Sequence, residues 1–237
     1  MSADERAHLY ARLPLTSDVH WWRRLAAASP DGRVLELGAG TGRLTGPLAA
    51  EAKVVAVDRD PASLDVLRAA GLDRVRIVEA DVTELDLGER FGLVLAPVSL
   101  LNEVVTPAGQ RELVRVMADH CRPDGRIVFQ VLNPVWLMTG RSVQGTIEGI
   151  DGSRVDVDVD ILDPDLWAQQ VRTRLVYTFD DGERLVDEVP CRAVFPGDLE
   201  AMLTAVGMRV VEVWGAVPGV DDLSADDGAW HVLAEPA

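Results

Sequence analysis

Between residues 33 and 132, five short apolar runs alternate with helix-patterned stretches, and few folds accept that order. The runs are VLEL (34–37), VVAVD (54–58), VRIVEAD (75–81), GLVLAPV (92–98) and RIVFQVL (126–132). Their near-continuous apolar character is that of strands covered on both faces. Helical patterns fill 43–52, 61–70 and 107–121. The last opens on Thr106 as cap and Pro107 at the first helical position. It stops at RPDG, where Pro123 and Gly125 predict a turn into the next strand. Pro47 falls near the first turn of its helix and predicts only a bend. Alternating strand and helix units predict an α/β fold with a doubly wound, mostly parallel sheet.

The rhythm changes on either side of this block. Residues 2–29 read as helical, with Leu9, Leu13, Trp21, Trp22 and Leu25 as apolar contacts and Pro14 as a break. Residues 141–195 carry strands without helices between them: 153–161, 170–179 and 184–194. Val155, Val157, Val159 and Ile161 alternate with three aspartates, so one face is buried and the other wet. DDGE at 180–183 predicts a hairpin turn. PGDLEAMLTAVG then reads as a helix ending at Gly207, and MRVVEVW and AWHVLAE as two closing strands. The expected organisation is a helical cap (1–32), a core (33–135 and 196–237), and an antiparallel β insertion (136–195) forming a substrate lid between the fifth strand and the last helix.

Charge narrows the partners. Against 23 basic residues stand 39 acidic ones, a net charge of -16, which repels a phosphate backbone and argues against nucleic acid. The acidic runs at Asp156, Asp158 and Asp160, and at Asp221 and Asp222, read as solvated faces and loops. Cys121 and Cys191 form no CxxC pair and suggest neither metal nor disulfide framework. No apolar run reaches membrane-spanning length, and MSADERAHLY lacks the basic-then-apolar layout of a signal peptide. A soluble, cytoplasmic monomer or homodimer is expected.

The turn after the first strand, within VLELGAGTGRL (34–44), has the composition of a nucleotide-binding loop. A phosphate-cradling loop needs GxxxxGK[ST], and no Lys follows Gly42. A dinucleotide loop needs GxGxxG, but its third glycine position holds Arg43. The pattern is GxGxG (Gly38, Gly40, Gly42), preceded by the acid Glu36. Glycines let a backbone approach an adenosine closely, and Glu36 suits a cationic ligand better than a pyrophosphate. Asp58, at the end of the second strand, can accept both ribose hydroxyls. Asp81, after the third, is placed to accept an adenine amino group. Together these point to S-adenosylmethionine.

Residues 33–103 resemble class I S-adenosylmethionine-dependent methyltransferases, through RVLELGAGTGRLTGPLA, VVAVDRDPASLDVLR, IVEADVTELDL and FGLVLAPVSLLNEV. The likeness continues in HCRPDGRIVFQVLNP and FPGDLEAMLTAVGMRVVEVWG. The insertion resembles the small-molecule branch, which includes glycine/sarcosine and aminosugar N-methyltransferases. The resemblance implies a Rossmann-like seven-stranded sheet, with S-adenosylmethionine as methyl donor, S-adenosylhomocysteine as product and no metal. It implies that Gly38, Ala39, Gly40 and Thr41 line the methionine end, Asp58 and Arg59 the ribose, and Asp81 and Val82 the adenine. Ala96, Pro97 and Val98 would back the sulfonium. Where relatives often carry a His-Leu pair, this chain has Asn102-Glu103, which speaks against His-dependent proton transfer there.

The function expected is methyl transfer to N or O of a small-molecule, natural-product-like acceptor by in-line displacement. Its alternatives are the same fold and cofactor used for cyclisation or decarboxylation, or a non-catalytic binding protein. A hydroxyl acceptor needs a base, whereas a neutral amine does not. His20, in the cap, and Asn102, at the carboxyl edge of the sheet, are the catalytic candidates. His120 reads as a helix C-terminal imidazolium, and His231 as structural and far from the cofactor end. Tyr10 is a candidate to close over the donor. Trp21 and Trp136 are acceptor walls or packing residues, and Ser99 follows strand four at the ligand edge. Arg192 is either a carboxylate-binding guanidinium or a surface strand arginine.

Overall fold

The computed structural model describes residues 1–13, 17–140, 142–148, 153–215 and 227–237. Pro14, Asp221 and Asp222 lie outside them. A seven-stranded sheet has the order β10-β11-β5-β4-β1-β2-β3. Its strands are β1 (Arg33–Leu37), β2 (Lys53–Asp58), β3 (Val75–Glu79), β4 (Phe91–Ala96), β5 (Cys121–Leu132), β10 (Met208–Trp214) and β11 (Ala229–Pro236). β1 to β5 run parallel, whereas β11 pairs antiparallel with β5 and with β10. From β1 the chain winds outward through β2 to β3, then returns to β4 on the other side. The reversal leaves a crevice between β1 and β4 at the carboxyl ends of the strands, where open α/β sheets bind ligands.

Each face of the sheet carries its own core. Leu35, Leu37, Val55, Val57 and Val94 pack against Leu113 and Met117 of α6 (Pro107–Asp119) and Leu199 and Leu203 of α8 (Pro196–Ala205). On the opposite face Val34, Val54, Ala56, Leu93 and Leu95 meet Trp22 of α2 (Val19–Ala27), Leu48 of α3 (Thr45–Glu51) and Leu64 of α4 (Pro61–Ala69). Strands covered on both sides need apolar residues at successive positions, which is the pattern of β4, buried throughout. Thr106 caps α6 by accepting from Gly109 N–H. Pro47 is the third residue of α3, where its missing N–H breaks no helical hydrogen bond.

The insertion is a second, antiparallel sheet of order β6-β7-β8-β9, formed by Val143–Glu148, Arg154–Asp165, Gln170–Phe179 and Arg184–Arg192. It has four strands rather than the expected three. β6 escapes a hydrophobic pattern because it is a polar edge strand: Ser142 just before it, then Gln144 and Thr146, bond the side chains of Asp160, Asp158 and Asp156 on β7. DDGE makes the expected turn, with Gly182 at φ +84°. RPDG is not a turn. It is the irregular start of β5, where the register against β4 shifts between Phe91 and Leu93. Two short helices are additional to the expected set: α5 (Leu100–Glu103) and α7 (Pro134–Thr139). α1 (Ala3–Arg12) carries a capping box between Ser2 and Glu5. It buries Leu9 against Val155, Tyr177 and Phe179 of the insertion and also packs on α4. The N-terminal helix thus bridges the insertion to the helix that follows Asp58.

Candidate active site

The glycine loop is pinned at both ends. Gly38 and Ala39 donate to Val57 O at 2.8 and 3.0 Å, and Gly40 N–H donates to Asp58 Oδ2 at 2.8 Å. Gly38, Gly40 and Gly42 all have positive φ, which a side chain adopts only with strain. They differ in their surroundings. A Cβ on Gly42 would collide with Leu67 of α4, and one on Gly38 would stand 3.0 Å from Leu100 of α5. A Cβ on Gly40 would meet nothing within 4 Å. Gly42 therefore seats the loop on its own fold, while Gly40 opens onto the crevice. Arg43, at the missing third glycine of the dinucleotide motif, ion-pairs with Asp18 ahead of α2 at 2.6 Å.

Gly40→Val is expected to abolish adenosyl-ligand binding while leaving circular dichroism unchanged. It fills the open space and adds roughly 1–2 kcal/mol of left-handed strain. Retained binding would refute the assignment of the crevice.

Three acids surround the loop. Asp58 ends β2, and besides Gly40 its Oδ1 accepts from Asp60 N–H at 2.9 Å. Each oxygen keeps a further lone pair for a ligand. Asp81 lies two residues past β3, and its Oδ1 accepts from the Thr83 N–H and hydroxyl at 2.8 and 2.7 Å. Those bonds hold its carboxyl below the usual range. Arg59 Nη1 stands 3.8 Å from the other oxygen, and Val82 beside it is buried. Glu36 is 1% exposed and accepts from Thr45 Oγ1 at 2.7 Å. Burial pushes its carboxyl up to about 7, Thr45 and Arg43 opposing that rise and Asp58 adding to it. Such a carboxylate is ready for a cation.

Beyond β4 the backbone is strained. Val98 and Ser99 have φ of +52° and +62°, rare for a β-branched residue and a mark of functional loops. Ala96 and Pro97 before them are buried. Gln130 Oε1 holds the loop by accepting from Val98 N–H at 2.8 Å. Asn102, fully buried, donates to Arg192 O at 2.9 Å and accepts from Leu132 N–H at 2.9 Å. Both ends of its amide are taken by backbone, so its place is that of a tie between α5, β5 and β9.

Tyr10 and Asp187 tie α1 to the insertion. Asp187, fully buried on β9, accepts from Arg6 Nη2 at 2.7 Å, from Arg6 Nε at 3.1 Å, and from the Tyr10 hydroxyl at 2.8 Å. Burial raises the Tyr10 phenol well above its ordinary value, and Asp187 raises the Arg6 guanidinium. Sequence reasoning did not single out Asp187 or Arg6. The signal was a broken alternation: in β9 the acid is inward and Val186 is 39% exposed.

The remaining candidates are scattered. His20 is exposed on α2. Trp21 stacks edge-on with Trp22, Trp214 and His231 at 4.5, 5.6 and 5.1 Å. Trp136 packs beside Leu137, Ile161, Val171 and Cys191, its Nε1 buried without a partner. The Arg192 guanidinium donates to Gln110 and Gln169. Ser99 is half-buried at the start of α5. Two histidine expectations need correction. His231 pairs in register with Gln130, so it sits at the same carboxyl edge as the loop after β4, not far from it. His120 accepts from Leu87 N–H at Nε2 and bonds Val116 O through Nδ1, an arrangement of the neutral ring rather than an imidazolium. Among the described residues no group of His, Cys, Asp and Glu could hold a metal ion, and no helix is long and apolar enough to cross a membrane.

Residues 34–125 match a family model described as a methyltransferase domain. The ribosomal RNA small subunit methyltransferase A of Anaeromyxobacter sp. (strain K) is 48% identical over 77 residues, 31% of this chain and 27% of that protein. The chain thus spans about a quarter of the length of the first curated relatives it matches. The cypemycin N-terminal methyltransferase of Streptomyces sp is 37% identical over 107 residues, 44% of each chain. Several solved structures match nearly end to end, among them two methyltransferases. The CcbJ methyltransferase of Streptomyces caelestis has a TM-score of 0.81 at 25% identity, over 98% of this chain and 96% of that one. The amino pentose methyltransferase CalS10 of Micromonospora echinaspora has 0.69 at 19%, over 99% and 92%.

Proposed function

We propose that this chain, which belongs to the S-adenosylmethionine-dependent methyltransferases, transfers a methyl group to a nitrogen or oxygen of a small polar acceptor. Gly40 carries this reading: it is left-handed, bonded to Asp58, and open where a side chain would stand. When bound, S-adenosylmethionine supplies a methyl group on a sulfonium, a leaving group that needs no protonation. The chain's part is binding, alignment and exclusion of water. Asp58 and Arg59 would hold the ribose, Asp81 and Val82 the adenine, and Gly38, Ala39, Gly40 and Thr41 the amino-acid end. Glu36 would balance the ammonium of that end, which all the adenosyl ligands carry, while Ala96 and Pro97 back the sulfonium.

A small acceptor is supported by the near-full-length likeness to CcbJ and CalS10, the second an amino pentose methyltransferase by name. The ribosomal RNA methyltransferase match stays within 77 residues, and a net charge of -16 disfavours a polyanion. Tyr10 would close over the donor and the insertion over the acceptor, with Ser99 as an acceptor contact. Trp136, Trp21 and Arg192 are further candidates that would first have to leave their present partners, and His20 is a candidate at the cap. Asn102 would act by positioning α5.

Calorimetric titration tests the donor. Micromolar binding of S-adenosylmethionine and S-adenosylhomocysteine, with none of NAD, is the expected result. Asp58→Ala should weaken both adenosyl ligands by roughly 1–3 kcal/mol, because the ribose hydroxyls lose their acceptor. No binding of either would overturn the reading.

A further inference from the structure

Glu103 is the carboxylate of the crevice left without a hydrogen-bond or ion-pair partner among the described residues. Asp58, Asp81, Glu36 and Asp187 are each held by named donors. Glu103 ends α5, three residues after Leu100, so the two share a helix face. Leu100 is the side chain that lies against Gly38. That places Glu103 next along the wall that begins at the glycine loop. Its charged neighbours come from every side: Arg6 of α1, Asp58 and Arg59 from the end of β2, and Asp187 of β9. Its own charge is felt by Tyr10, Tyr177 and Cys191. Glu103 thus ends the helix whose Leu100 lies against Gly38, and it feels charges from the end of β2 as well as from α1 and β9. It is an exposed residue, yet these charged groups act on its carboxyl.

We propose that Glu103 is the anionic contact for a cationic amine acceptor, pairing with its ammonium beside the transferred methyl and taking one proton from it. This rests on the methyltransferase reading and narrows the acceptor to an amine. An ammonium has no lone pair for attack, so a base that both attracts and deprotonates it serves two needs. The proton passes from nitrogen to the Glu103 carboxylate. The nitrogen lone pair then forms the N–C bond as the C–S bond breaks, sulfur keeping that electron pair. The product leaves as a methylated ammonium, and Glu103 returns its proton to water. Crowding pushes the Glu103 carboxyl up to about 7, Arg6 and Arg59 opposing that rise and Asp187 and Asp58 adding to it. A base of that strength is half ionised near neutrality.

Sinefungin tests this without knowledge of the acceptor, because a carbon-borne amine replaces its methylated sulfur. The wild-type protein should bind sinefungin about tenfold or more tightly than S-adenosylhomocysteine at pH 8, the value of one charge-assisted contact. That preference should fade below about pH 6 as the carboxyl protonates. Glu103→Gln should bring the two ligands within about twofold while leaving S-adenosylhomocysteine affinity unchanged. A preference that survives in Glu103→Gln, one absent from the wild type, or parallel loss of both ligands would overturn the assignment. Failure of both ligands to bind the wild type would instead sink the methyltransferase reading beneath it.

Discussion

Glu36→Gln is expected to stabilise the ligand-free protein at pH 8 and to weaken its binding of S-adenosylmethionine. The buried Glu36 carboxyl titrates near 7 in the folded chain, against an ordinary value of 4.5. The folded state therefore binds more protons than the unfolded state between those values, and stability falls as pH rises through them. At pH 8 the ionised, buried carboxylate costs on the order of 3 kcal/mol. Gln keeps an oxygen to accept from Thr45 Oγ1 and cannot ionise. Urea denaturation at pH 5 and pH 8 should show the wild type losing stability between them and the variant losing less. Parallel curves would refute the placement of an ionisable group there. The charge that destabilises the empty crevice is the one that favours a cationic ligand, so gain and loss should appear together.

Asp187→Ala is expected to release α1 from the insertion. Asp187 is fully buried and accepts from both Arg6 and the Tyr10 hydroxyl. Removing it leaves two donors facing a hole, a loss of roughly 2–4 kcal/mol. The Arg6 side chain is 40% exposed and can turn to water, which keeps the loss to that range. Hydrogen exchange should rise across Ala3–Arg12 while β1 and β4 stay protected. Unchanged exchange in α1 would show that the apolar contacts of Leu9 suffice to hold it.

The two sheets were legible to different degrees for a physical reason. Strands β1 to β5 are covered on both faces and so announce themselves as apolar runs, as do the closing strands. The acids proposed for the donor site, Glu36, Asp58 and Asp81, lie at or just beyond strand ends, where spacing alone places them. β6 is held by side-chain bonds to the aspartates of β7, and such a strand leaves no hydrophobic trace. The RPDG segment reads as a turn because Pro and Gly dominate it locally, but pairing with β4 holds it extended. Asn102 looked chemically active because its backbone partners, Arg192 O and Leu132 N–H, lie 90 and 30 positions away. Glu103 was visible as a departure from a familiar pair, but its charged neighbours Arg6 on α1 and Asp187 on β9 are a tertiary fact.

The contact between Arg6 and Asp187 spans 181 positions of chain. Its capping box lets α1 coil locally and early, but its ionic anchor does not exist until β9 has found its place. Long loops are entropically expensive to close before other contacts hold them. The join between α1 and the insertion thus depends on segments from opposite ends of the chain, and its loss would leave the glycine loop, pinned locally to Val57 and Asp58, in place.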